Sequence, residues 1–195
     1  IGGVVPQLGG NAGTGAGWLV VEGDESDRSI AILRPEIAVL TNVALEHTEL
    51  LGTTEAQIAA EKLAVAPDGS DRLVVGRLSV RAAPAVAEGC RVRRLSGWRV
   101  GHEVHVTDHT RGVHVVTPGA GYDALPLPLR GSFQRDNLAV AVAAVERRLG
   151  EPLRIGPLRR GVGRVRMPGR LEVVDGRPLM VLDGAERRSL TGQAN

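Results

Sequence analysis

The sequence predicts an α/β fold: a mostly parallel sheet with flanking helices, plus a small antiparallel sheet. Three observations carry this. Short apolar runs alternate with helix-like stretches along the first half of the chain, the pattern of βαβ crossovers. From about Arg91 to Leu129 the texture changes to alternation with turn glycines, the pattern of antiparallel strands. Hydrophobic residues make up 43% of the 195 residues and aromatics 2%, so the core is aliphatic and of single-domain size.

The elements follow in order. Residues 2–17, "GGVVPQLGGNAGTGAG", read as a glycine-rich loop. "WLVVEG" (18–23) reads as a buried strand, and "DRSIAILRP" (27–35) as a short helix closed by Pro35. "EIAVLTNV" (36–43) is a second buried strand. In "TTEAQIAAEKLAVA" (53–66), Thr54 and Gln57 stand at capping-box spacing ahead of Ile58, Leu63 and Val65, which predicts a helix. "RLVVG" (72–76) is a third strand. "RDNLAVAVAAVERRLG" (135–150) has alanine-rich helix propensity, an aspartate near its start and Gly150 as its stop. "RLEVVDGRPLMVLDG" (170–184) reads as a hairpin turning at Asp175-Gly176.

Charge and cysteine usage bound the function. Twenty-four basic residues against 22 acidic leave a net charge of +2, too balanced to argue for nucleic acid or a membrane surface as partner. No apolar run approaches the roughly 20 residues that span a bilayer, and no signal-peptide pattern opens the chain. The single cysteine, Cys90, excludes an intrachain disulfide and fits a reducing compartment, hence an expected cytoplasmic location. It reads as a loop residue without a histidine nearby, so nothing marks it as a nucleophile. The chain starts at Ile1 and stops soon after a strand-like run, which reads as a piece of a longer protein. Nothing in it sets an oligomeric state.

In an open α/β sheet, ligands sit beyond the carboxyl ends of the strands. Three such ends are chemically loaded. "WLVVE" runs into Glu22, with Asp24, Glu25 and Asp27 behind it as loop acids. "IAVLTN" ends in Thr41 and Asn42, followed by Glu46 and His47, and "LMVLD" ends in Asp183. Carboxylates, an amide and an imidazole at one edge suit a hard divalent cation carrying nucleotide phosphates. His102, His105, His109 and His114 form no such site. His102 and His105 are expected on opposite faces of one strand, and the group reads as surface decoration.

On these segments the chain resembles the Mur ligases, ATP-dependent amide-bond-forming enzymes, over nearly its whole length and specifically in their central ATPase domain. "VVEGDESDRS" with "PEIAVLTNVALEHTE" is similar to the family's core pattern. "GTTEAQIAAEK" places Lys62 fifteen residues after His47, where the family has a lysine that is often carbamylated. "GSFQRDNLAVAVAAV" resembles the adenine-contacting segment, with Asn137 as its asparagine. "PGRLEVV" matches an Arg-x-Glu segment whose arginine is Arg170, directed at phosphates. Asp183 matches an aspartate that holds ribose. The resemblance implies ATP and Mg²⁺ as cofactors, with Glu22 and His47 as metal ligands and Lys62 and His47 in catalytic roles. Asn42, Asn137, Arg170 and Asp183 are implied to bind nucleotide. Its implied chemistry is phosphorylation of a carboxylate, followed by attack of an amine on the acyl-phosphate.

The sequence also departs from that pattern. Glu46 stands where the family has aspartate, Phe133 and Gln134 open the adenine segment, and Gly184 to Arg188 lack the usual histidine and asparagine. "GGNAGTGAG" has no G-x-x-x-x-G-K-[ST] lysine and precedes a strand, so it is not a phosphate loop. Residues 1–182 are therefore expected to be a central ATPase domain incomplete at its N-terminus, and 183–195 a linker into a further domain. Within the family, "EGDESDRS" and the glycine-rich stretch favour the branch that adds L-alanine to UDP-N-acetylmuramate. "HTELLGTTEAQIAAEK" and "PGRLEVV…LDGA" make the folylpolyglutamate or dihydrofolate branch the alternative. The expected partners are small molecules, a nucleotide-sugar or a folate together with an amino acid. The other class of reading is an inactive piece that keeps the fold.

Overall fold

The computed structural model describes Gly9, Gly10, Ala12, Gly13, Gly15 and residues 17–23, 33–44, 52–168, 172–174 and 180–182. The acids Asp24, Glu25 and Asp27, most of the expected helix at 27–35, Glu46, His47, Arg170, the Asp175-Gly176 turn and Asp183 lie outside the described residues. No helix among the described residues is long and apolar enough to cross a membrane.

Three short strands form a parallel sheet: β1 (Ala38–Leu40), β2 (Leu73–Val75) and β3 (Gly97–Arg99), in that spatial order. Its register pairs Val39 with Val74 and Val74 with Trp98. Two helices return between the strands, α1 (Glu55–Leu63) and α2 (Ala82–Val92). β2 is apolar at every position because both of its faces are covered. Leu73 and Val75 point into one core with Leu40, Ile58, Leu63 and Val86. Val74 points into a second, with Val104, Val115, Leu125, Ala139 and Val142. Period-2 alternation thus makes one three-residue strand the wall between two cores.

The second core is closed by an antiparallel sheet, β4 (His105–His109), β5 (Gly112–Val116) and β6 (Gly121–Leu125), and by the long helix α3 (Phe133–Leu149). A further helix, α4 (Ile155–Gly163), adds Val162 to this core. The strands β7 (Glu172–Val174) and β8 (Met180–Leu182) pair antiparallel, as the hairpin reading requires. α3 ends where expected: Gly150 takes a left-handed conformation and its N–H bonds the Glu146 carbonyl at 2.8 Å. α1 carries the full capping box between Thr54 and Gln57.

Four expectations are corrected. Residues 18–23 are neither strand nor buried: Leu19 and Val20 are 84% and 79% exposed. This segment enters no ladder among the described residues, and without a neighbouring strand its pleat has no face to bury. Trp18 instead lies over the Arg148 guanidinium, 5.1 Å from ring centroid to Cζ. Next, Gly97–Arg99 belongs to the parallel sheet, so antiparallel pairing starts only at His105. Cys90 sits in α2, not in a loop. Finally, His102 lies in the turn after β3 while His105 opens β4, so the two never share a strand.

Candidate functional site at the carboxyl edge of the parallel sheet

β1 delivers Thr41 and Asn42 beyond its carboxyl end, and β2 delivers Gly76 and Arg77 beside them. The two ends are locked together by the Gly76 N–H, which bonds the Leu40 carbonyl at 2.7 Å. Only glycine fits at 76, because a Cβ there would collide with the Thr41 carbonyl oxygen. Arg77 reaches across to α3, where its Nε lies 3.1 Å from each carboxylate oxygen of Asp136. Asp136 is in the first turn of α3 and immediately precedes Asn137. The edge that carries Asn42 is therefore bound to the helix turn that carries Asn137. Both asparagines are exposed. The Asn137 amide nitrogen donates to Gln134 Oε1 at 3.2 Å, leaving its oxygen and a second hydrogen to offer.

The other expected site residues fall out as follows. Glu22 is exposed, four residues beyond Trp18, whose ring lies over Arg148. Arg148 Nε in turn lies 2.9 Å from Glu36, two residues before β1. The start of the 18–22 segment is thereby anchored near the amino end of β1. Lys62 is half-buried in the last turn of α1. That end of α1 is held by Arg93, which donates to the carbonyls of Leu63 and Ala66, near the turn that leads into β2. The helix backbone at Lys62 is thus at the opposite end of α1 from the loop that follows β1. His47, Arg170 and Asp183 are outside the described residues.

Among the described residues no three His, Cys, Asp or Glu side chains group as a metal cage. Thr41 and Asn42 place a hydroxyl and an amide oxygen at this edge, and the exposed 18–22 segment ends in the Glu22 carboxylate. They are hard oxygen ligands, and Mg²⁺ is commonly held by only one or two carboxylates with phosphates and water completing its shell. The residues present fit such an ion in type. The four candidate histidines likewise form no metal group. His102, His105 and His109 are exposed, and His114 Nδ1 faces the Asp123 carboxylate.

A cavity of about 490 Å³ reaches the same edge from the α2 side, lined by Gly76, Arg77, Cys90, Arg99, Gly101 and Glu103 among others. Its cations are already matched, Arg77 by Asp136, Arg91 by Glu88 and Arg99 by Glu103. Burial pushes the Cys90 thiol above its usual range, and the nearby Arg99 and Arg93 offset this only partly. Cys90 is thus a protonated packing residue. Burial also raises the Glu103 carboxyl, but hydrogen bonds from Arg99 outweigh it and the net direction is down.

Sequence reasoning missed Arg77 and Asp136. They stand 59 positions apart, and no local spacing joins them. A signal that was available is lysine usage: Lys62 is the single lysine in a chain with 24 Lys and Arg residues.

Residues 10–145 match the Mur ligase middle domain. A probable bifunctional folylpolyglutamate synthase/dihydropteroate synthase of Halobacterium salinarum is 32% identical over 167 residues, which cover 83% of this chain and 20% of that protein. The UDP-N-acetylmuramate–L-alanine ligase of Renibacterium salmoninarum is 35% identical over 164 residues, 77% of this chain and 34% of that one. Among solved structures, Mycobacterium tuberculosis folylpolyglutamate synthase complexed with ADP and AMPPCP superposes with a TM-score of 0.67 at 28% identity, over 78% of this chain and 36% of that chain. The chain thus spans between 20% and 36% of the length of these proteins.

Proposed function

Because this chain belongs to the Mur ligase family through its middle domain, we propose that it is the nucleotide-binding part of an ATP-dependent ligase that joins a carboxylate to an amine. The observation that carries this reading is the convergence of Thr41–Asn42 and Asn137 through the Gly76 and Arg77 contacts, at the sheet edge where α/β folds bind ligands. In this reading Asn137 meets the adenine, Asp183 the ribose and Arg170 the phosphates, the last through its planar fork. Glu22 and His47 would hold Mg²⁺, and Asn42 would bind the nucleotide at the end of β1. The family resemblance gives Lys62 a carbamate role: the ammonium would lose its proton, the amine would add CO₂ and release a second proton, and the resulting anion would no longer repel the cation; the position of its backbone at the far end of α1 is the observation against that role. Bound ATP with Mg²⁺ supplies the phosphoryl group that activates the substrate carboxylate, and the chain's own contribution is positioning and charge neutralisation. Residues 1–182 form this unit and 183–195 lead out of it.

For the substrate, the folate branch is the first reading. It is supported by the Halobacterium relative, the folylpolyglutamate synthase structure and the "HTELLGTTEAQIAAEK" segment. The L-alanine branch is the second, on the strength of "EGDESDRS" and the Renibacterium relative.

The test is titration of the 195-residue chain with AMPPCP, with and without Mg²⁺, followed by NMR. A phosphate loop's nest of N–H groups and its lysine are not in this sequence, and each charge-assisted bond is worth on the order of 1.5–3 kcal/mol. The expected result is Mg²⁺-dependent binding with a Kd on the order of a millimolar. No shift at 10 mM nucleotide sinks the reading. Lys62 adds a clean second readout, since a single lysine gives a single side-chain carbamate signal in ¹³C-bicarbonate. That signal is expected and should vanish in Lys62→Ala. ADP release by the full-length ligase that carries this domain, with folate plus glutamate against UDP-N-acetylmuramate plus L-alanine, separates the branches; this chain alone is expected to turn over neither.

A further inference from the structure

We propose that Arg77 and Asp136 are positioning residues for base recognition: their ion pair holds the first turn of α3 against the sheet edge so that the Asn137 amide is presented to an adenine. The inference rests on the nucleotide reading above and adds to it a device for specificity.

The start of α3 needs such a tie. Its N-cap residue, Ser132, is in helical conformation and makes no side-chain cap bond, so the usual local lock on a helix start is missing. What holds this turn is tertiary. Arg135 pairs with Asp108 on β4, and Arg77 pairs with Asp136. Only the second of these ties runs to the parallel sheet. Arg77 is fixed at its root by Gly76, whose N–H bonds the Leu40 carbonyl. Its guanidinium also passes over Gly101, after β3, where a Cβ would lie 3.0 Å from Arg77 Nη1. Gly101 has φ +93°, a left-handed conformation that favours glycine. The Gly76 backbone therefore ties the end of β2 to that of β1, and the Arg77 guanidinium beside it passes over the turn after β3 and grips the residue before Asn137. Asp136 is the more buried partner, with a side chain 25% exposed against 51% for Arg77.

The base is the adenine that the family resemblance implies for Asn137, and amide chemistry suits it. With one hydrogen committed to Gln134, Asn137 still offers a donor and an acceptor side by side. That pair matches adenine, which presents an amino donor beside the N7 acceptor. Hypoxanthine has a carbonyl in place of the amine and leaves the amide oxygen unmatched. Adenine-over-hypoxanthine discrimination is therefore a direct readout of where the Asn137 amide is held. A merely structural role for the ion pair would not change that ratio.

The experiment titrates the chain with ATP and with ITP, each with Mg²⁺, in wild type, Arg77→Ala, Arg77→Lys and Asp136→Asn, with thermal melts alongside. Wild type is expected to prefer ATP by about tenfold. Arg77→Ala and Asp136→Asn should weaken ATP by about three- to tenfold and leave ITP nearly unchanged, so that the preference collapses. Arg77→Lys should restore part of the preference, because lysine keeps the charge but not the planar donor geometry. Equal weakening of ATP and ITP, or an unchanged ratio, overturns the positioning role while leaving nucleotide binding standing. Absence of ATP binding in wild type overturns both.

Discussion

Among the described residues, one tightly held side chain is a carboxylate that the proposed chemistry does not use. Glu146, on α3, is 3% exposed, and Thr117 Oγ1 lies 2.8 Å from each of its oxygens. Tyr122 donates its hydroxyl to the same carboxylate and accepts the Leu153 N–H at 2.9 Å. Gly119 leaves room beside it, since a Cβ there would press on Glu146 Oε1 and force that side chain to shift. The group clamps the β5–β6 turn and the start of the α4 segment to α3. Burial, and then the Glu146 hydrogen bond, push the Tyr122 hydroxyl up to about 12 from its ordinary value near 10. The protonated phenol is thus favoured by folding. Its contribution is fully present below the unfolded value and is lost as pH rises from about 10 to about 12. A shift of two units corresponds to roughly 2–3 kcal/mol. Tyr122 is the chain's single tyrosine, so its titration is directly visible near 295 nm. Denaturation midpoints should fall across that window in wild type. Tyr122→Phe should be less stable at pH 8 by about 1–3 kcal/mol, having taken one donor from Glu146 and left the Leu153 N–H without its acceptor, and should show a flatter alkaline limb. A wild-type midpoint that stays level to pH 12 would exclude the clamp.

At the scale of elements, close approach and open space make opposite demands on glycine. Gly76→Ala places a methyl against the Thr41 carbonyl at the sheet edge and should cost about 1–3 kcal/mol. Gly161, within α4, has nothing within 4 Å of its would-be Cβ, so Gly161→Ala should stabilise by roughly 0.5–1 kcal/mol through helix propensity. Urea midpoints of the two variants should move in opposite directions; a common direction would mean the Gly76 contact is not tight. The same elements show what a sequence can carry. α1 was legible because its cap is local, with Thr54 and Gln57 three residues apart, and α3 because its propensity and its Gly150 stop are local too. α2 was not, because its cap is displaced: Ser79 Oγ accepts from the Ala82 N–H at 3.0 Å, and Pro84 in the first turn reads as a breaker. β3 was missed because three residues, Gly97–Arg99, in a run of arginines have no period to read; only pairing with β2 makes them a strand. The site divides the same way. Asn42 was singled out by its strand-end position and Asn137 by the family resemblance of its segment, whereas the Arg77–Asp136 tie exists only in three dimensions.

At the scale of the whole molecule, two cores share one thin wall. Leu63 belongs to the core under α1 and α2, Leu125 to the core between α3 and the antiparallel sheet, and both are 0% exposed. They are coupled through β2, whose alternate side chains Leu73, Val74 and Val75 are fully committed to opposite sides. The ladder of β2 to β1 and β3 runs in the plane of the sheet and serves both faces at once, so loosening either core withdraws support from both. We therefore expect cooperative unfolding of the two cores. Leu63→Ala and Leu125→Ala should each cost about 2–5 kcal/mol, a large part of the roughly 5–15 kcal/mol that holds a domain together. The probes are far-UV circular dichroism for the helices and Trp98 fluorescence for β3, recorded in a Trp18→Phe background so that the exposed indole does not contribute. Trp98 packs against the second core and lies under the Arg147 guanidinium, at 4.8 Å. Leu63→Ala, on the far side of the sheet, should nonetheless shift the Trp98 transition as far as the helical one, and Leu125→Ala should do the same. If Leu63→Ala lowers the helical transition and leaves the Trp98 midpoint in place, the layers melt separately. The carboxyl edge then loses its claim to rigidity, because Asn42 stands just beyond the end of β1 and Asn137 on α3, which packs into the second core, and only a shared fold keeps them in register.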